Sequence, residues 1–104
     1  MNRKALEKML EQGQDNALLR FTLGNLCLKE GLTDAAVAHL AEALKQNPRH
    51  SASWKAYGKS LTAAGRDREA IEAYREGITT AESLGDIQAV KEMRVFLKRL
   101  EKED

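Results

Sequence analysis

The chain has 104 residues, enough for one domain with a modest core, and its 17 Lys and Arg nearly balance 16 Asp and Glu, giving a net charge of +1. This balance excludes the strongly basic proteins that bind nucleic acid or acidic membranes through net charge alone. A charged fraction of 32%, an aromatic fraction of 5% and a single proline favour an all-α protein over a β protein.

The N-terminal segment, MNRKALEKMLEQGQ, contains no apolar run of signal-peptide length. No apolar run elsewhere approaches the length of a membrane span. The one cysteine, Cys27, cannot form an intramolecular disulfide, which favours a reducing compartment. We therefore expect a cytoplasmic protein that is complete as given.

Small and apolar residues recur along the chain at an interval of 34 residues. The clearest pairs are Gly24 and Gly58, Gly31 and Gly65, Ala36 and Ala70, and Glu42 and Glu76. Because Leu6 and Leu10 also precede Leu40 and Leu44 by this interval, the pattern extends backward. The sequence predicts one domain in which 17–50 and 51–84 are two copies of a unit and 1–16 resembles the second half of a third.

Each copy reads as two helices joined by a short turn. Apolar residues follow helical spacing, and Gly31 and Gly65 stand where a left-handed residue ends the first helix of each copy. Asn47-Pro48 stops the second helix of the first copy. We expect side-chain caps at the helix starts, from Thr33 or Asp34, Ser51 or Ser53, and Asp67.

Gly24 and Gly58 lie inside predicted helices, where glycine costs about 1 kcal/mol relative to alanine. Two helices can pack closely only where the side chains at their crossing are small. We therefore expect Gly24 to face the region of Ala36, and Gly58 that of Ala70, with larger side chains such as Tyr74 filling the wider ends.

These residues resemble the tetratricopeptide repeat family, whose 34-residue unit carries a tryptophan, Leu-Gly, a tyrosine, then alanine, an aromatic residue and proline. The resemblance implies an all-α fold, an α-solenoid of antiparallel helix pairs that forms a right-handed superhelix of about six helices. The residues implied to pack the repeats are Leu23, Gly24, Ala36, Leu40, Ala43, Pro48, Trp54, Gly58, Ala70, Tyr74 and Gly77. Glu82 replaces the closing proline of the second copy, so we expect its second helix to continue to Leu84 before Gly85 ends it.

The final segment, 85–104, does not continue the pattern in register. Asp86 can cap a helix that is apolar on one face and polar on the other, as the terminal unit of a stacked array requires. We interpret it as a closing helix that packs on the second copy.

No constellation of catalytic residues is apparent. His39 and His50 lack a companion at metal-ligand spacing, and Cys27 stands where the family has a core tyrosine. A buried thiol is a poor nucleophile because reactive thiols need an electropositive, partly exposed setting. We expect no enzyme activity, no cofactor and no metal site.

In the resembled family, the first helix of each unit lines a concave groove that binds a peptide or a partner segment. The resemblance implies as candidate groove residues Leu18, Phe21, Asn25, Leu28 and Lys29 in the first copy and Ala52, Lys55, Lys59 and Thr62 in the second. Lys55 and Lys59 are one helical turn apart and mildly repel each other, while Phe21 and Leu28 form an apolar strip. A segment with acidic and apolar residues would satisfy both features, unless neighbouring helices cover the strip and the lysines are simply solvated.

One subgroup of the family grips a C-terminal carboxylate with a lysine and two asparagines. Asn25 fits that pattern, but Phe21 stands in the place of the lysine and Ala56 in that of the second asparagine. The sequence therefore predicts that this chain does not act as a clamp for a terminal carboxylate.

The leading hypothesis is a non-enzymatic protein-interaction module that binds a partner protein or peptide in the groove. The alternative is a structural homo-oligomer assembled through the end helices. A nucleic-acid adaptor is a third hypothesis, and its candidate contacts are Lys55, Lys59, Lys91, Arg94 and Lys98. The near-zero net charge disfavours nucleic acid and a membrane as partners.

Overall fold

The computed structural model describes residues 2–102, which form six α-helices and no strand. The helices are α1 (Arg3–Glu11), α2 (Ala17–Lys29), α3 (Thr33–Gln46), α4 (Ser51–Ala63), α5 (Asp67–Leu84) and α6 (Ile87–Lys102). Each helix packs on the next in the chain, and α4 also contacts both α2 and α6. The fold is therefore the all-α helical repeat that the sequence predicts.

Glycines in the left-handed conformation close four of the helix junctions. Gly31, Gly65 and Gly85 have φ between 72° and 79°, directly after α2, α4 and α5, and Gly13 follows α1 with φ 89°. The expected ends of α2, α4 and α5 are confirmed, including the continuation of α5 to Leu84. Asn47 ends α3 immediately before Pro48, as predicted.

The predicted caps of three helices are wrong. The N-cap residues of α3, α4 and α5 are Leu32, His50 and Arg66, and none of their side chains accepts a hydrogen bond from a backbone amide of the helix. Asp67 lies instead in the first turn of α5, where its negative charge interacts favourably with the positive end of the helix dipole. Side-chain caps are present where asparagine precedes the helix: Asn2 caps α1 and Asn16 caps α2.

Asp86 caps α6, as predicted, and also joins it to α4. Its carboxylate accepts a hydrogen bond from the Ala89 amide at 3.2 Å and another from the Ser51 hydroxyl at 2.7 Å. Ser51 thus binds the start of a different helix instead of capping its own. These two hydrogen bonds hold the pKa of Asp86 below its ordinary value, and the bond from the Ser51 hydroxyl has the larger effect.

This pKa predicts an acid sensitivity that an asparagine should remove. Because the folded pKa lies below the unfolded one, the contacts stabilise the fold above about pH 4, and their contribution is lost as pH falls through the folded value. We expect Asp86→Asn to be less stable than the parent at pH 7, with the two free energies of unfolding converging towards pH 2. Urea unfolding at intervals of pH measures both curves, and parallel curves would contradict the assignment to Asp86.

The glycines at the helix crossings do pack against their partner helices, but one turn further along than expected. A Cβ on Gly24 would lie 2.8 Å from Cδ2 of Leu40, and one on Gly58 would lie within 2.7 Å of three ring atoms of Tyr74. Leu40 and Tyr74, and not Ala36 and Ala70, therefore cover the glycine backbones. Both are fully buried, at 0% and 1% exposure.

Of the residues implied to pack the repeats, nine are buried: Leu23, Gly24, Ala36, Leu40, Ala43, Gly58, Ala70, Tyr74 and Gly77. Trp54 is partly buried, and its indole N–H donates to the carbonyl oxygen of the exposed Pro48 at 2.8 Å. The main core lies between α4, α5 and α6. There Met93 packs over Gly77, and Phe96 stacks on Tyr74 with ring centroids 5.6 Å apart, so α6 is fixed on the second helix pair.

Candidate functional site

The helices α2, α4 and α6 lie side by side and form one open face of the molecule, the α2–α4–α6 face. The second helix of each pair, α3 or α5, lies behind it. Two hollows open on this face, one between α2 and α4 and one between α4 and α6. The candidate groove residues are all on α2 and α4.

The α2 residues nearest the helix start form an apolar end to this face. Leu18 is 70% exposed and lines a small hollow of about 210 Å³ with His50 and Asn47. Phe21 is half-buried, because its ring meets the His50 ring edge-on at 4.8 Å. Phe21, one of the two residues of the predicted apolar strip, is therefore partly covered, whereas the neighbouring Leu18 is open.

The later residues of α2 line the larger hollow. Asn25, Leu28 and Lys29 enclose a volume of about 550 Å³ with Lys59 and Ala63 of α4. The Asn25 amide donates to the Phe21 carbonyl oxygen at 3.3 Å, so its side chain remains along its own helix. Leu28 is half-buried, whereas Asn25 and Lys29 are exposed.

On α4, the lysine pair that the sequence suggests does not act as a pair. Lys55 forms an ion pair with Glu92 of α6 at 3.1 Å, whereas Lys59 forms none with a described residue. Ala52 is half-buried, and Thr62 is exposed with its hydroxyl donating to the Gly58 carbonyl oxygen at 2.9 Å. Lys59 is thus the α4 cation that is open to a partner.

The sequence missed the contribution of α6 to this face. Phe96 and Arg99 of α6 line a hollow of about 350 Å³ together with Lys59, Thr62, Ala63, Tyr74 and Leu100. Residues three positions apart lie on one side of a helix, so the spacing of Phe96 and Arg99 in the sequence is a signal that both could line the same surface.

The cations proposed for nucleic-acid contact do not form a continuous basic surface. Arg94 forms an ion pair with Glu82 at 2.8 Å, and Lys55 is paired as described above. Lys91 and Lys98 are exposed on α6. Two of the five candidates are therefore neutralised by neighbouring carboxylates.

Two titratable residues outside this face, Cys27 and His39, have pKa values that are shifted by their surroundings in the fold. Cys27 is fully buried, and burial raises the pKa of its thiol. His39 Nδ1 lies 3.2 Å from the Arg20 guanidinium, and burial, followed by the charge of Arg20, lowers the pKa of the imidazole. Within residues 2–102, no three His, Cys, Asp or Glu side chains come together as metal ligands.

Comparison with known proteins identifies the family. The family model for the tetratricopeptide repeat matches residues 3–59 and 28–91. This chain belongs to the tetratricopeptide repeat family. A curated TPR repeat-containing protein of Pseudomonas aeruginosa is 48% identical over 99 residues, covering 95% of this chain and 94% of that protein.

Two solved structures have the same fold. A Bordetella parapertussis protein, solved in solution, superposes with a TM-score of 0.85 at 47% identity, over 98% of this chain and 89% of its own. A tetratricopeptide repeat domain protein from Salinibacter ruber superposes with a TM-score of 0.78 at 22% identity, over 86% and 91% of the two chains. At the latter identity the likeness concerns the fold alone.

Tetratricopeptide repeats generally mediate protein–protein interactions and are generally non-enzymatic. In the described part of the chain, no helix combines the length and the apolar character needed to cross a membrane.

Proposed function

We propose that this chain is a cytoplasmic, non-enzymatic interaction module whose α2–α4–α6 face is a groove for a segment of a partner protein. The observation that carries the proposal is the pair of adjoining hollows on this face, which are lined by buried and half-buried apolar side chains and by cations that form no ion pair with residues 2–102. In a helix-in-groove or extended-peptide complex, apolar contacts supply affinity and polar groups at the rim supply specificity. We further propose that 17–50 and 51–84 act as the two full units, with 1–16 as a half unit and 85–104 as the closing helix.

Several features fit binding by a preformed surface. The four inter-helix turns closed by left-handed glycines and the buried core behind the face hold α2, α4 and α6 in fixed positions. A rigid surface binds with little ordering cost, because its side chains and backbone are already arranged. A groove of two to three helices covers a short segment, so the affinity should be modest.

Photocrosslinking tests this assignment directly. A benzophenone amino acid replaces Asn25, an exposed residue of the large hollow, in the protein expressed in its native host. The matched control carries the same amino acid at Lys45, an exposed position on α3, which lies behind the face. We expect discrete crosslinked partner proteins from position 25 and none of them from position 45.

Two other outcomes would contradict the assignment of the groove to the α2–α4–α6 face. The same products from both positions would mean that the partner does not distinguish the two faces. Products from position 45 alone would place the interaction on α3 and α5, and the groove assignment would then be wrong.

A further inference from the structure

The hollow between α4 and α6 combines an apolar interior with a cationic rim. Phe96, Tyr74 and Leu100 provide aromatic and aliphatic surface, and Lys59 and Arg99 stand at its edge. Tyr74 is buried, and burial raises the pKa of its hydroxyl to about 12, so the phenol stays neutral at physiological pH. With a volume of about 350 Å³, the hollow can receive one large apolar side chain.

The two cations at this rim are held close to an aromatic ring. The Lys59 Nζ lies 5.8 Å from the centroid of Phe96, and the Arg99 Cζ lies 5.9 Å from it. Both distances lie within the range of cation–π attraction, which keeps the cations near the ring without neutralising them. Neither forms an ion pair with any residue from 2 to 102, in contrast to Lys55, which Glu92 neutralises.

The hollow adjoins the one between α2 and α4. Lys59 and Ala63 line both, so a ligand can pass over them from Leu28 and Lys29 to Phe96 and Arg99. Every charged residue that lines the two hollows is a cation, namely Lys29, Lys59 and Arg99. Since the whole chain has a charge of only +1, this local excess is a property of the face and not of the composition.

We infer that these two hollows bind an extended protein segment in which acidic side chains flank a large apolar side chain. The apolar side chain occupies the hollow over Phe96, and the neighbouring carboxylates meet Lys59 and Arg99. A further acidic residue meets Lys29. This inference rests on the proposed function and names the chemistry of the segment and its place on the face. It makes α6 part of the binding surface in addition to its role in closing the core.

A protein segment matches the face better than a nucleic acid does. Nucleic-acid surfaces carry many cations along a phosphate path, whereas two largely apolar hollows here are surrounded by three cations that form no ion pair within the described residues. An internal acidic segment also agrees with the prediction that Phe21 and Ala56 leave no clamp for a terminal carboxylate, because its charges come from side chains.

Peptide display with the full chain tests the inference. The probe is a library of random ten-residue peptides fused through their carboxyl ends to a phage coat protein, so no free terminal carboxylate is presented. We expect the selected peptides to carry acidic residues on both sides of an aromatic or large aliphatic residue. Their affinity for Lys59→Glu/Arg99→Glu should fall by about tenfold or more, because two attractive contacts become repulsive.

Two further variants separate binding from folding. Lys59→Gln/Arg99→Gln removes the charges without reversing them and should give a smaller loss of affinity. Lys45→Glu makes the same charge reversal on α3 and should change the affinity less than about twofold. Circular dichroism of each variant establishes that the helices are retained, since all the altered side chains are exposed.

Each outcome either supports the inference or overturns it. Selected peptides without acidic residues, or acidic peptides whose affinity is equal for the parent and Lys59→Glu/Arg99→Glu, would overturn it. In the latter case, amide shifts confined to α2 and α4 on peptide addition would retain the proposed function while removing the α6 hollow. If no peptide is selected and labelled oligouridine binds the parent but not the variant, the face binds nucleic acid instead. Self-association that the variant abolishes in sedimentation equilibrium would assign the hollow to a second copy.

Discussion

Replacing Gly58 by alanine lowers the free energy of unfolding by about 1–3 kcal/mol, although alanine is the better helix former by about 1 kcal/mol. The added methyl group would lie within 2.7 Å of three ring atoms of Tyr74. That ring is 1% exposed and stacks on Phe96, so moving it aside would disturb its packing against α6. Urea unfolding of Gly58→Ala and the parent measures the difference.

A double-mutant cycle identifies the ring as the cause. In a Tyr74→Ala background, the three ring atoms are absent and the remaining methyl group is too short to replace them, so Gly58→Ala should cost at least about 1 kcal/mol less than in the parent. Tyr74→Phe keeps the ring atoms near Gly58 and should leave the cost of Gly58→Ala unchanged. Equal costs in all three backgrounds would show that the glycine is required for a reason other than the Tyr74 contact.

The example of Gly58 shows how far the sequence determines the packing. The interval of 34 residues between Gly24 and Gly58 predicts that both lie at equivalent helix crossings, and both are buried. The sequence also places Leu40 and Tyr74 at equivalent positions of the partner helices. It does not determine how far one helix is shifted along its neighbour, because glycine leaves no side chain to set that register. The expected partners were therefore one turn away from the observed ones.

The sequence likewise determines where helices end better than it determines how their starts are capped. Gly31, Gly65 and Gly85 end helices because left-handed backbone is accessible to glycine at little cost, which depends on one residue alone. The helix starts depend on competing hydrogen bonds. Ser51 is a suitable cap by composition, yet its hydroxyl donates to Asp86, which is 35 residues away in the sequence. Such a long-range partner cannot be inferred from local sequence preferences.

The candidate site was predictable on α2 and α4 but not on α6, for a reason of spacing. Helices α2 and α4 begin 34 residues apart, at Ala17 and Ser51, whereas α6 begins 36 residues after α4, at Ile87. The longer interval before α6 arises from the length of α5, which has 18 residues, whereas α3 has 14. Because α6 is out of step with the repeat pattern, neither its pairing of Glu92 with Lys55 nor its contribution of Phe96 and Arg99 could be assigned from family positions.

Met93 is the least exposed residue of α6 and packs directly on α5. Met93 is 0% exposed, and its sulfur would lie 2.5 Å from a Cβ on Gly77, so it rests directly on the backbone of α5. We expect Met93→Ala to reduce the free energy of unfolding by about 2–5 kcal/mol, since the cavity beside Gly77 has no side chain to fill it. Met93→Leu retains the volume and should cost less than about 1.5 kcal/mol.

Because Met93 joins α6 to α5, part of this loss should appear as local opening of α6. Amide hydrogen exchange of Met93→Ala should therefore accelerate more over 87–102 than over α2 and α3. The matched control is Met9→Ala on α1, where the methionine is 37% exposed and the same substitution should change stability by less than about 0.5 kcal/mol. Equal losses from Met93→Ala and Met9→Ala would contradict this account. Since Phe96 and Arg99 lie on the same helix, detachment of α6 should also weaken binding of the acidic peptides, whereas Met9→Ala should leave it unchanged.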